Sequence, residues 1–202
     1  MGTAPRRRPV LPASFFSRDT VSVARELLGS IIETKIRGAV TSGRIVEVEA
    51  YTGPDDPASH AANWRRTERN EAMYGPPGIA YVYKSYGIHW CLNAVTESED
   101  FPAAVLVRAL EPLAGIETMK RRRGQTDLRL LCAGPGRLCE ALGIDHTFDK
   151  APLTGPKISI FRNETGPAVD VTAGPRIGIS RAASRPLRFA LRGSRWLSRS
   201  AS

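Results

Sequence analysis

The clearest pattern of apolar and polar positions lies at residues 44–51, where the two kinds of side chain alternate. Alternation with a period of two predicts a half-buried β-strand. One face of this strand would carry Val46, Val48 and Ala50. The other face would carry Ile45, Glu47, Glu49 and Tyr51. Because a strand rises about 3.3 Å per residue, the two carboxylates would lie about 6–7 Å apart on one face.

The rest of the chain predicts a mixture of helices and strands. No change in composition marks a domain boundary within it. Apolar positions spaced three and four apart, together with capping residues, predict helices over residues 17–28, 113–123 and 135–142. Apolar runs predict strands over residues 30–36, 103–110 and 187–192, and one or two more within 156–180.

Residues 79–95 predict a β-hairpin whose tip lies at 84–87. Residues 38–43 predict a turn. The long segment 52–78 is rich in Gly, Pro, Asp and Arg, and it predicts a functional loop with a short helix near 70–74.

The balance of charge is strongly basic, with 29 Lys and Arg against 20 Asp and Glu in 202 residues. Only five of these basic residues are lysines, and arginine both grips phosphates and stacks on bases, so the excess favours a nucleic-acid partner. The alternative is a generic basic surface. Residues 1–12 predict a basic flexible arm, and residues 13–202 predict one domain.

Composition also argues against several classes of protein. No apolar run reaches the eighteen residues of a membrane span, and the arginines at the start precede no apolar signal-peptide region. The three cysteines and three histidines lack the spacing of zinc ligands, so we expect no metal site. A reducing, cytoplasmic compartment is expected.

The paired carboxylates of Glu47 and Glu49 suit hydrolysis at a sugar carbon, where one carboxylate activates a water. Tyr51 continues the same face and would build a pocket wall. The alternative is a solvated strand face with two ordinary surface glutamates.

The hairpin places three tyrosines, Tyr81, Tyr83 and Tyr86, within six residues. Tyr86 would lie at the exposed tip beside a glycine, where it could wedge into a base stack, and Lys84 could contact a phosphate. The alternative is a tip that folds back on its own sheet.

Three further polar groups are candidates for a site. His60, with Tyr51 and Tyr83, would supply the stacking faces and polar edge that an extruded base requires, or it could be a surface histidine. Asn93 and Arg108 interrupt apolar strands, so each must be paired or face a wet cleft. A structural ion pair between Arg108 and one of the glutamates remains an alternative.

The turn at Gly134 and Gly136 precedes the helix predicted over 135–142. Free N–H groups at that helix start, with Arg137 beside them, could hold a DNA phosphate. A tight turn without any ligand explains the same residues.

Together these segments resemble the alkyladenine (3-methyladenine) DNA glycosylase family of the mammalian type over roughly residues 10–200. The similarity rests on an ordered series of motifs. They are GRIVEVEAYTGP at 43–54, YVYKSYG at 81–87, VRALEPL at 107–113, CAGP at 132–135, PLRF at 186–189 and RGS at 192–194. The resemblance implies an α+β fold: a single mixed domain around a curved antiparallel sheet, with a protruding β-hairpin that intercalates into DNA.

The resemblance also implies a water site. Glu49 matches the family's catalytic base, which activates the water that attacks C1′. Arg108 matches the arginine that helps to hold this water and the neighbouring phosphate. The backbone carbonyl of Ile177 would complete the site.

For the flipped base, the resemblance implies stacking walls at Tyr51 and Tyr83. His60 matches the residue that reads the base edge, and Asn93 the residue that disfavours guanine. Tyr86 matches the intercalating tip.

The implied activity is that of a monofunctional DNA glycosylase of base excision repair. Its partner would be double-stranded DNA containing 3-methyladenine, hypoxanthine or ethenoadenine. It would act as a monomer, associated with a bacterial nucleoid, without metal or organic cofactor. Residues 70–76 and 97–102 depart from the family pattern, which bears on the choice of lesion.

Two rival classes share some of these features. A helix-hairpin-helix glycosylase would need a catalytic aspartate about twenty residues after the turn at 133–136, whereas Asp145 and Asp149 are closer. Some of its members also carry four clustered cysteines, and this chain has three. A non-catalytic nucleic-acid-binding module would have no use for Glu49 beside Tyr51.

Overall fold

Eight antiparallel strands form one curled sheet in the computed structural model, which describes residues 8–162 and 170–199. The strands are β1 (Ile31–Ile36), β2 (Ala39–Tyr51), β3 (Ala80–Ser85), β4 (His89–Thr96), β5 (Ala103–Ala114), β6 (Ile158–Phe161), β7 (Val171–Gly174) and β8 (Arg188–Leu191). Their order across the sheet is β3-β4-β5-β2-β1-β6. Strand β8 pairs with the second half of β2, and β7 pairs with β8.

Five α-helices accompany the sheet within the described ranges. They are α1 (Ala13–Phe16), α2 (Thr20–Leu27), α3 (Ile116–Arg123), α4 (Leu128–Leu131) and α5 (Pro135–Leu142). Three 3₁₀ helices cover Ala62–Trp64, Glu68–Tyr74 and His146–Phe148. The α+β prediction is therefore confirmed. No described helix combines the length and the apolar character that crossing a bilayer would take.

Helix α2 shows how local sequence determines an element. The side chain of Asp19 accepts a hydrogen bond from the N–H of Ser22 at 2.8 Å, so it caps the helix start. Val23, Ala24 and Leu27 lie on one face and are buried in the main core against the sheet. The helix itself is shorter than the predicted 17–28, because α1 and a bend occupy the residues before Asp19.

Strand β2 is not a regular strand, and this corrects the predicted assignment of its faces. Ile45 pairs with Leu110 and Glu47 with Ala109, so Val46 is an extra residue opposite a single step of β5. This β-bulge reverses the alternation once. Ile45 therefore lies in the main core with Val48 and Ala50, and not on the face of the glutamates.

Several further predicted boundaries were wrong. Strand β5 continues to Ala114, so the helix predicted over 113–123 begins only at Ile116. The turn predicted over 38–43 is confined to Arg37 and Gly38, whose φ angles of 49° and 81° reverse the chain in two residues. The hairpin strand β3 continues through Lys84 to Ser85, which pairs with His89, so the tip consists of residues 86–88.

The residues before α1 differ in part from the flexible arm predicted over 1–12. Val10 forms a bridge with Phe161, the N–H of Leu11 donates to the carbonyl of Ile160 at 2.8 Å, and Leu11 is buried. Residues 9–11 thus lie along β6. Residues 1–7 lie outside the described ranges, as do 163–169, which fall in the segment predicted to hold one or two strands. Both β6 and β7 are found in its described part.

A second, smaller apolar cluster lies beneath the long loop that follows β2. It consists of Ala61, Ala72, Met73, Tyr74, Tyr81, Val95 and Ala104. This cluster anchors residues 52–78 to the hairpin side of the sheet. The loop is therefore held beside the strands that carry the candidate polar groups.

Candidate active site

A cavity of about 540 Å³ opens between the β3–β4 hairpin, strand β5 and the loop that follows β2. Its wall contains eight of the residues that the sequence singles out. They are Tyr51, His60, Tyr81, Tyr83, Tyr86, Asn93, Arg108 and Ile177. The structure therefore brings together residues that are spread over 127 positions of the chain, from 51 to 177.

The side chain of Glu49 lies directly behind this wall and has no exposed surface. Its Oε1 accepts the backbone N–H of Ile177 at 2.7 Å and lies 3.2 Å from Nη1 of Arg108. Its Oε2 accepts the hydroxyl of Tyr51 at 2.9 Å. All three of these partners line the cavity.

Burial raises the pKa of Glu49 above the usual value of a glutamate, and the negative charge of Glu47 contributes in the same direction. Arg108, the N–H of Ile177 and the hydroxyl of Tyr51 act against this shift. A carboxylate with a raised pKa is a stronger base than an exposed one, which suits proton abstraction near neutral pH.

Glu47 is also fully buried, but its surroundings differ from those of Glu49. Its Oε1 accepts hydrogen bonds from Nε of Arg108 at 3.1 Å, Nε of Arg188 at 2.7 Å and the hydroxyl of Ser198 at 2.8 Å. Its Oε2 accepts the N–H of Ser198 at 2.6 Å. The interpretation of the pair as a solvated surface face is therefore wrong for both carboxylates. Only Glu49 has all its described partners on the cavity wall.

Arg108 joins the two carboxylates, and a second irregularity of the sheet orients it. Glu47 pairs with Ala109 and Val48 with Val107, so Arg108 is the extra residue of a bulge in β5. Bulges beside active sites commonly re-aim one side chain. The two alternatives considered for Arg108 both hold, because it forms an ion pair with each glutamate and also lines the cavity.

Three aromatic rings form one side of the cavity. Nδ1 of His60 and the hydroxyl of Tyr81 are 2.8 Å apart, and the ring of His60 meets that of Tyr83 edge-on at 4.5 Å. The rings of Tyr81 and Tyr83 lie 5.3 Å apart. These contacts fix the orientation of the imidazole.

His60 keeps an exposed edge, yet its surroundings favour the neutral ring. Partial burial and the positive charges of Arg69 and Arg65 lower its pKa to about 4. At neutral pH the ring is therefore uncharged, with one nitrogen as donor and the other as acceptor.

Asn93 lies on β4 opposite Tyr81, and its side-chain amide donates to the carbonyl of Tyr81 at 3.0 Å. The residue is buried and lines the cavity. Cys91, two residues earlier, also contributes to the wall, and all three cysteines are free and buried.

A buried ion pair beside the cavity was not predicted from the sequence. Both side chains of Arg176 and Asp56 are fully buried; Nη2 of Arg176 donates to Asp56 at 2.7 Å, and Nη1 donates to Asp56 and to the carbonyl of Ala50. The guanidinium lies 4.6 Å from the centre of the Tyr51 ring. The pair therefore links the loop after β2 to the chain at 176–177. The ring of Tyr51 lies against the guanidinium of this pair. The only sequence signal is that each of the two is a charged residue next to a proline.

The hairpin tip is the most exposed apolar feature of the site. Tyr86 is 86% exposed and Ile88 is 69% exposed, so neither of these side chains folds back on the sheet. Both Tyr86 and Gly87 have positive φ, at 50° and 69°. Lys84 points its charge over the ring of Trp90, 5.5 Å from the ring centre.

The start of α5 lies beside the hairpin. Gly134 precedes the helix with a φ of 136°, Pro135 lines the cavity, and Gly136 lies against His89 so closely that a Cβ would come within 2.8 Å of it. Arg137 donates to the carbonyl of Ala133 at 3.2 Å. The predicted tight turn is present, and its role toward a phosphate stays a prediction.

A second cleft, of about 370 Å³, adjoins the cavity at His60 and Arg69. Its lining is polar and basic, and it includes Arg65, Arg69 and Arg181. Arg69 lines the cavity as well, so positive charge lies beside the cavity mouth. Among the described residues, no three His, Cys, Asp or Glu side chains cluster as metal ligands would.

This chain is similar to known proteins over most of its length. Residues 14–195 match the family described as methylpurine-DNA glycosylase. A Rhodopseudomonas palustris (strain HaA2) protein is 50% identical over 94% of this chain and 90% of its own length. Proteins of Agrobacterium fabrum and Nitrosospira multiformis are each 50% identical, over 95% and 93% of this chain and 93% of their own length. All three are named as proposed 3-methyladenine DNA glycosylases.

Proposed function

Because the chain belongs to the methylpurine-DNA glycosylase family and is a DNA glycosylase of DNA repair, we propose that it removes damaged purines with a water that Glu49 activates. The substrates are purines of the 3-methyladenine, hypoxanthine and ethenoadenine class in double-stranded DNA. The product is an abasic site. The observation that carries this proposal is the buried carboxylate of Glu49, whose three partners all line one cavity.

In the proposed reaction the bond between C1′ and the base nitrogen breaks while the water oxygen forms a bond to C1′. Glu49 takes the proton from that water, and the departing base takes the electron pair of the broken bond. Oε2 of Glu49 accepts one hydrogen bond, from Tyr51, so it keeps a lone pair for a water O–H. Arg108 and the carbonyl of Ile177 would hold the water.

The cavity offers the base two kinds of contact. The rings of Tyr51 and Tyr83 would stack on its faces, while the neutral ring of His60 and the amide of Asn93 would meet its edge. A cationic alkylated base leaves readily because cleavage neutralises it. A neutral base such as hypoxanthine would need protonation from another group.

The surface around the cavity suits a DNA backbone. Tyr86 would fill the space left by the flipped nucleotide. Lys84, the start of α5 at Gly134 and Gly136, and Arg137 would contact phosphates on the hairpin side. Arg65, Arg69 and Arg181 would do so on the other side of the cavity mouth.

A single-turnover cleavage assay tests the proposal. A labelled duplex with one hypoxanthine or one ethenoadenine is incubated with excess protein and treated with hot alkali, which cuts at abasic sites. We expect cutting at the lesion that falls by about 10²–10⁴ in Glu49→Gln, the range general-base catalysis supplies. Binding of the variant to the same duplex should persist.

Wild-type rates in Glu49→Gln would contradict the role of Glu49. If neither duplex is cut, release of free 3-methyladenine from methylated DNA distinguishes a narrower choice of lesion from a wrong proposal. Absence of release there as well would overturn the proposed reaction.

A further inference from the structure

The segment 194–199 is tied to the inner side of the site through two neighbouring residues, Ser198 and Arg199. Ser198 donates its backbone N–H to Oε2 of Glu47 and its hydroxyl to Oε1. The hydroxyl oxygen also lies 3.4 Å from Nη2 of Arg108, which donates to it. Next to it, the carbonyl of Arg199 accepts Nη2 of Arg188 at 3.0 Å.

These contacts complete a balanced set of buried charges. Glu47 and Glu49 have no exposed side-chain surface, and the side chains of Arg108 and Arg188 are 8% and 9% exposed. Two negative charges thus face two positive charges in a space from which water is largely excluded. Buried charges of this kind are stable only where further hydrogen bonds satisfy their remaining lone pairs. Ser198 supplies two such bonds, and its N–H is the only described donor to Oε2 of Glu47.

The same contacts determine where Arg108 points. Its Nε is held by Glu47 and its Nη1 lies against Glu49. A shift of Glu47 would therefore move the guanidinium relative to Glu49, although Glu47 itself lines no part of the cavity. Displacements of about 1 Å in a catalytic arrangement can lower a rate by about a hundredfold.

We propose that Ser198 and Glu47 are positioning residues of the glycosylase reaction, through which the segment 194–199 holds Arg108 in place beside Glu49. This inference rests on the proposed roles of Glu49 and Arg108. It assigns to a remote stretch of chain a part in the chemical step, separate from the binding of DNA. The segment therefore acts on the rate of hydrolysis and leaves the affinity for DNA unchanged.

Two shortened chains form a matched pair for the test. One ends at Arg199 and keeps every described contact of the segment. The other ends at Leu197 and lacks both donors of Ser198 as well as the carbonyl of Arg199. Each is compared with the unshortened chain in single-turnover cleavage of hypoxanthine DNA at saturating protein, in its affinity for a duplex with an abasic-site analogue, and in its thermal unfolding midpoint.

We expect the chain that ends at Arg199 to cut at the rate of the unshortened chain. The chain that ends at Leu197 should cut about tenfold or more slowly, since its Arg108 is no longer fixed. Its affinity for the abasic-site duplex should stay within about twofold, because the inference places the contacts of the segment on buried charges and not on DNA. The cleavage rate of Ser198→Ala, which keeps the N–H and loses the hydroxyl, should lie between the rates of the two shortened chains. This variant keeps the test valid if the chain that ends at Leu197 fails to fold.

Equal rates for the two shortened chains and for Ser198→Ala would overturn the inference. A loss of affinity for DNA at an unchanged maximal rate would also overturn it, because the segment would then be a DNA contact. A failure of the unshortened chain to cut would count against the proposed function, and the inference would fall with it. These outcomes are distinguishable, since only the last involves the unshortened chain.

Discussion

The backbone N–H of Ile177 donates to Oε1 of Glu49 at 2.7 Å, and this contact joins residues 128 positions apart. A backbone donor cannot rotate away as a side chain can, so the position of the carboxylate depends on the path of the chain at 176–178. That path is fixed by the buried pair of Arg176 and Asp56. The base of the proposed reaction is thus oriented by the loop after β2 as well as by its own strand.

The raised pKa of Glu49 predicts where activity is lost in acid. Glu49 must be deprotonated to act as a base, so the rate should fall as the pH drops through its pKa. Burial and Glu47 raise this pKa against the effects of Arg108, Ile177 and Tyr51. The midpoint of the acid limb should therefore lie above the value of about 4.3 for an exposed glutamate.

Single-turnover release of 3-methyladenine over a range of pH measures this limb, because a cationic base leaves without needing an acid. A rate that stays constant down to the pH of an ordinary glutamate would contradict the environment described for Glu49. Circular dichroism at each pH checks that the protein remains folded.

Asp56→Asn should destabilise the protein strongly. The substitution leaves the buried charge of Arg176 without its carboxylate, and breaking such a pair typically costs about 3–5 kcal/mol. The matched control is Asp170→Asn, which breaks the exposed pair with Arg192 and should cost at most about 1 kcal/mol. Denaturant unfolding measures both. A similar loss of unfolding free energy in the two variants would show that the buried pair stabilises the fold no more than the exposed pair does.

Tyr86→Ser should weaken the preference for damaged DNA. Because Tyr86 is 86% exposed, the fold should be little affected by the loss of its ring. We expect the affinity for a hypoxanthine duplex to fall further than in Glu49→Gln. Ile88→Ser tests whether the second exposed side chain of the tip shares the role. Unchanged discrimination between damaged and undamaged duplexes in Tyr86→Ser would exclude the wedge.

Arg65→Gln and Arg181→Gln should each reduce the salt dependence of DNA binding. Each phosphate contact contributes about 0.9 to the slope of log affinity against log salt, so each variant should lower the slope by about one. Arg129→Gln is the control, since Arg129 is exposed and lines neither the cavity nor the second cleft. Equal slopes for all three variants would mean that DNA does not follow the second cleft.

Which residues line the cavity could largely be predicted from the sequence, but not how they are arranged. Tyr51, His60 and Tyr83 are predictable as a group, because together they supply the stacking faces and polar edge that a flipped base requires, although each alone also has an ordinary structural explanation. The partnership of Arg176 with Asp56 is not visible, since nothing in the local sequence around either residue points to the other. Ser198 gives no signal at all, because a serine in a polar stretch is ordinary until a buried carboxylate is found beside it.

The faces of β2 show a different kind of limit. Counting by two places Ile45 with the glutamates, whereas the extra residue at Val46 returns it to the core. The register of a strand depends on its partners, and the compensating bulge at Arg108 lies 62 residues further along the chain. The alternation of apolar and polar residues predicts the strand and its two carboxylates, but it does not predict the bulge at which the two faces of the strand are interchanged.

The bulge at Val46 also sets how this protein can change length in evolution. Removing one residue there would restore a regular strand and turn either Ile45 or both carboxylates to the wrong side. Insertions and deletions should therefore be excluded from β2 among related proteins, even at apolar positions that tolerate substitution. The exposed turn at Gly124, between α3 and α4, has no such constraint and is where variation in length should collect.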